Sequence, residues 1–160
     1  MEAVSQYAGF LAAHDIERAS QNDPIVPMLA FQRSDGTREV IKLPEPLKEG
    51  LAQGSQWLNR NPEDAALAVL VFQGSVVIDE LDTDAIVCKA VQYQPEKITY
   101  KVAIPFQRGT DGEFTVYRIK ILDFEGDDPD YDALVSAFFR GVENNEKGAD
   151  IWYKHLDQSK

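Results

Sequence analysis

Only one cysteine, Cys88, occurs in the 160 residues. An internal disulfide is therefore excluded, and nothing points to an oxidising compartment. Histidine is almost as scarce, with His14 and His155 alone. The set His14, Asp15 and Glu17 fits no common metal-ligand spacing, so no metal is expected. Bases are in deficit: 16 Lys and Arg against 27 Asp and Glu leave a net charge of −11. That deficit argues against nucleic acid and against anionic membrane surfaces, which both call for a basic footprint.

Long apolar runs are missing too. None approaches the ~20 residues that span a bilayer. The opening stretch MEAVSQYAGFLAAHDIERAS has an acid at position 2 and no basic segment. Neither a signal peptide nor a transmembrane helix is expected, and a cytoplasmic location follows by default. Phosphate-binding and dinucleotide-binding glycine motifs are absent, so no cofactor is expected. Ser75 follows Gly74 without the flanking pattern of a nucleophile elbow. Cys88 lies mid-strand among apolar residues and reads as a buried, inert thiol. The chain therefore reads as a binding protein rather than a catalyst, although a pair of carboxylates working as acid and base stays open.

What is present is ordinary globular material, 44% hydrophobic and 27% charged. The length suits a single domain over residues 1–160. Residues 3–19 carry Val4, Tyr7, Ala8 and Leu11 at helical spacing. IVPMLAFQ reads as a strand, placed at an edge because Pro27 cannot donate to a ladder. REVIKLP returns from a turn at Ser34–Thr37, and a helix with Pro46 near its first position follows. On that helix Leu47, Leu51, Gly54 and Leu58 share a stripe bordered by Trp57, and Gly50 and Gly54 invite close approach to a sheet. AALAVLVFQ is apolar on both faces and belongs in the middle of the sheet. A turn or bulge at Gln73-Gly74 separates it from SVVID, and DAIVCKAVQYQ, ITYKVAIPF and EFTVYRIKILDF supply further strands. DPDYDALVSAFFRGV is a helix burying Leu134, Val135, Phe138, Phe139 and Val142, with Asp128 as its cap and Pro129 in its first position. The tail 144–160 packs back through a short helix bearing Ile151, Trp152 and Leu156. The fold class is α+β, a mostly antiparallel sheet of about six to seven strands with helices packed on it, in the order α-ββ-α-βββββ-α-α.

Two features invite a functional reading. The first is FQRSDG at 31–36 and FQRGTDG at 106–112. If the two hairpins are related by a twofold, Arg33 and Arg108 converge on one anion, with Tyr117 close by. The alternative is that Asp-Gly is simply common turn chemistry. The second is acidity: Asp123, Glu125 and Asp127 remain after the helix cap is assigned, and they join Asp79, Glu80, Asp82 and Asp84 in a negative surface. Calcium is excluded in its EF-hand form, because a loop begun at Asp123 has Asp128 where glycine is required and Leu134 where glutamate is. Aromatics at Trp57, Tyr93, Tyr100, Tyr117 and Trp152 line either the core or a pocket or interface.

Three expectations follow. The chain is a protein-interaction module, an acidic adaptor or an inhibitor or immunity-like protein, docking a basic partner by electrostatic steering. Alternatively it binds a small anionic ligand, or acts as an unrecognised enzyme, through Arg33 and Arg108. The third is a homo-oligomer held by sheet edges or by the Trp152 tail.

Overall fold

The computed structural model describes residues 1–127 and 129–160. Helix α1 (Glu2–Ser20) leads into the hairpin β1 (Met28–Arg33) and β2 (Arg38–Lys42), and α2 (Leu47–Arg60) follows. Then come β3 (Ala65–Ile78), β4 (Leu81–Gln92), β5 (Ile98–Arg108), β6 (Phe114–Tyr117) and β7 (Lys120–Glu125). Helices α3 (Tyr131–Asn144) and α4 (Glu146–Lys154) and the two-residue strand β8 (Leu156–Asp157) close the chain. The class is α+β, with a sheet ordered β2-β1-β3-β4-β5-β6-β8 and β7 also paired to β5. Every pairing is antiparallel except the short β6–β8 contact. No helix among the described residues is long and apolar enough to cross a membrane.

Alternation along the strands sends two apolar sets to opposite faces. The front face offers Ala30, Val69, Cys88, Tyr100 and Ile104 to α1. The back face offers Leu29, Phe31, Leu70 and Val91 to α2, where Phe31 and Trp57 meet at 4.8 Å. α2 presses close to the sheet as its glycines foretell: a Cβ on Gly54 would lie 2.8 Å from a methyl carbon of Leu70 in β3. α1 is enclosed further, because α3 and α4 pack on its far side. Its Gly9 fits beneath the Phe138 carbonyl, Gly141 of α3 fits over the Gln6 carbonyl, and a Cβ on Gly148 would come 2.5 Å from the Ala13 oxygen. Small residues thus let three helices share one core, in which Trp152 is fully enclosed and packed edge-on against Phe138 and Phe139.

Several expectations need correction. β1 lies inside the sheet, since Pro27 precedes it; the edge is β2, whose five residues are all exposed. Gln73-Gly74 interrupts nothing, because Gly74 stays in register opposite Ala85 and β3 runs to Ile78. EFTVYRIKILDF divides at Arg118-Ile119, which frees β7 to pair with a different stretch of β5. Pro46 stands near the first position of α2, as expected, at its cap. The cap of α3 is Asp130, whose carboxylate accepts from the Ala133 amide at 3.0 Å. Asp128, expected in that role, lies outside the described residues. With β8 added, the sheet has eight strands.

The repeated Phe-Gln-Arg resolves as turn chemistry. In the first hairpin the Arg33 amide donates to Thr37 O and the Gly36 amide to Arg33 O. In the second the Gly109 amide donates to Glu113 O and the Gly112 amide to Gly109 O. Both are three-residue loops, Ser34-Asp35-Gly36 and Thr110-Asp111-Gly112, closing on a glycine at positive φ, 91° and 78°. The turns match, but Phe-Gln-Arg sits one residue farther from the second turn. A one-residue offset sends side chains to the other face: Phe31 packs at the back and Phe106 at the front.

Candidate functional site

That offset separates the two arginines. Arg33 stacks on Phe31 at 5.0 Å, behind the sheet, and pairs with Glu39 at 2.6 Å and Glu63 at 3.6 Å. Arg108 stacks on Phe106 at 5.3 Å, in front of it. Its Nε donates to Ala19 O at 2.9 Å and its terminal nitrogen to Asp23 O at 3.3 Å, so it holds the carbonyl end of α1. Two strands intervene between β1 and β5, and no single anion reaches both guanidinium groups. The paired-arginine site is not built.

The acids also divide. Asp82 and Asp84 share the parity of Ile86 and point to the front, whereas Asp123 stands opposite Lys101 at the back. The pairings Ala85–Pro105 and Asp123–Lys101 leave at least four residues of strand between the groups, roughly 13 Å. Asp123 and Glu125 line a cleft of about 270 Å³ together with Lys89, Lys97 and Lys101, so the charge on that face is mixed. Asp127 is exposed just beyond β7. One continuous negative surface does not form.

The remaining acids sit on a feature the sequence analysis did not resolve. β1 follows β3 only as far as Val71, and β5 follows β4 only as far as Ala85. Beyond those points Ser75–Ile78 and Leu81–Asp84 pair with each other alone, forming a two-stranded arm. Asp79 and Glu80 make its turn with φ of 50° and 68°, both left-handed, as a two-residue turn of this twist demands. The tip has no glycine, asparagine or proline, so the usual hairpin signal was missing. Val77 and Leu81, each 68% exposed, are the barest large apolar side chains among those described, and they lie among Asp79, Glu80, Asp82 and Asp84. Among the described residues the arm has one ion pair, Asp79 to the Lys160 ammonium at 3.6 Å.

Where the arm parts from β5 a cleft of about 300 Å³ opens, lined by Asp82, Thr83, Asp84, Arg108, Tyr117 and Lys160. The structure therefore gathers Asp82, Arg108 and Tyr117, and leaves Arg33 and Asp123 elsewhere. Tyr117 donates its hydroxyl to Gln107 Oε1 at 2.8 Å. The titratable groups of this cleft are Asp82, Asp84, Arg108, Tyr117 and Lys160. Cys88 is fully buried, and burial raises its thiol pKa well above the ordinary range. The chain matches no protein-family model, no curated protein and no solved structure.

Proposed function

We propose that this chain is a protein-interaction module and that the β3–β4 arm is its docking element. One observation supports the reading above the others: a ribbon hydrogen-bonded to neither neighbouring strand carries four carboxylates and the two most exposed apolar side chains among those described, Val77 on its front face and Leu81 on its back. An isolated two-stranded ribbon is marginal in water, and exposed apolar residues on it cost solubility. A partner that clasps the ribbon from both sides, burying Val77 on one face and Leu81 on the other, offsets both. The carboxylates call for a partner surface bearing Lys or Arg beside an apolar patch, with charge steering the encounter and apolar burial holding it. Tip-to-tip pairing of two copies is disfavoured, because it would oppose like charges.

The test is a low-salt capture from source-cell lysate by the intact chain and by a Val77→Ser/Leu81→Ser variant, with Asp123→Asn/Glu125→Gln as the control. A protein held by wild type and control, lost with the arm variant and released by moderate salt, is the expected result. Equal capture by all three overturns the reading. So does self-association that disappears with Leu81→Ser, which would make a second copy the occupant.

A further inference from the structure

Asp15 plays no part in the arm and presents a separate problem. It lies on α1, is 1% exposed, and its Oδ2 is enclosed without a hydrogen-bond partner. A buried carboxyl left in that state is costly, and native structures seldom keep one without a reason. His14, its neighbour, is exposed, so the two do not share a face as metal ligands would.

Asp15 borders a cleft of about 150 Å³, whose other walls are His14, Arg18, Val26, Met28 and Lys42. The register Met28–Lys42 sets those two side chains next to each other on the front of the hairpin. Arg18 is anchored by bonds from Nε and a terminal nitrogen to Pro24 O, at 3.4 and 3.3 Å. Neither Arg18 nor Lys42 has a carboxylate within 4.0 Å among the described residues, in a chain of net charge −11. Cations without acid partners, an apolar wall of Val26 and Met28, and an enclosed carboxyl therefore meet at one small cavity. Its volume equals the share of about five water molecules, too little for a nucleotide or a peptide.

We propose that this cleft binds a small aliphatic carboxylate, its charged head between Arg18 and Lys42, its stem on Val26 and Met28, and one oxygen accepting a proton from Oδ1 of the Asp15 carboxyl, the oxygen that is not enclosed. Two facing carboxyl groups share such a site only when one is protonated. Burial raises the Asp15 pKa to about 7, with Arg18 pulling the other way. The charged or titratable groups around it are His14 and Arg18 on α1 and Lys42 on β2, and its charge is also felt by Cys88 on β4. Affinity falls as pH rises through neutrality, because ionised Asp15 repels the ligand.

The experiment is an amide-shift titration of the intact ¹⁵N-labelled chain with sodium propionate, against sodium chloride and inorganic phosphate, on both sides of neutrality. Saturating shifts at Val26, Met28 and Lys42 are expected with propionate alone, stronger on the acid side. Lys42→Ala weakens binding about tenfold, the loss of roughly one charge-assisted contact. Asp15→Asn keeps a neutral group in place and removes the pH dependence. Shifts that chloride or phosphate reproduces, an unaltered affinity in Lys42→Ala, or the same pH dependence in Asp15→Asn each overturn the proposal. None of these results bears on the arm.

Discussion

Replacing Asp15 by Asn tests the electrostatics of the core directly. The Asp15 carboxyl ionises at 3.8 in an ordinary setting and at about 7 in the folded chain, chiefly because burial strips its water. Between those values the native state keeps a proton that the unfolded chain has released. Stability therefore falls as pH rises through that window, is unaffected below it, and levels off above about 7. At about 1.4 kcal/mol for each pH unit from 3.8 to about 7, the loss is about 4 kcal/mol. That is a large part of the 5–15 kcal/mol that holds a typical domain together, roughly speaking. Asn cannot ionise, and any deficit of hydrogen bonding it brings is independent of pH. Urea unfolding of both proteins from acid to mildly alkaline pH is the assay. The wild type should lose about 4 kcal/mol relative to Asp15→Asn across the window, most of it before pH 7 is passed. Parallel profiles, or a wild type that gains on the variant as pH rises, would refute the placement of this carboxyl in an enclosed, partnerless site.

Two further outcomes probe the helical layer. Gly141→Ala should lower stability by about 1–3 kcal/mol or more, because the added methyl meets the Gln6 backbone carbonyl, which cannot yield as a side chain would. An unchanged melting temperature would mean that α1 and α3 do not cross there. Asp130→Ala should cost about 1 kcal/mol by loss of the bond to the Ala133 amide. Chemical denaturation measures it, and no loss would place the start of α3 elsewhere.

The sequence by itself determined the class of this protein and most of its elements. Period-two alternation in ITYKVAIPF and helical spacing in DYDALVSAFF depend on which side chains avoid water, and that preference is local and readable. It also showed that Cys88 is interior and that Asp-Gly makes two turns. It did not show the arm, because the tip residues Asp79 and Glu80 adopt left-handed conformations that the pattern of residues does not announce. Nor did it show which strands stop early beside β3 and β4; that depends on pairings between residues distant in the chain. The one-residue offset between the two hairpins is written in the sequence. Tertiary structure alone, by joining β1 and β5 through β3 and β4, set which face of the common sheet each presents; it placed Arg33 behind and Arg108 in front. It alone enclosed Asp15: helical spacing places a residue on a face of α1, but only the packing of sheet, α3 and α4 around that helix removes water from nearly every face at once.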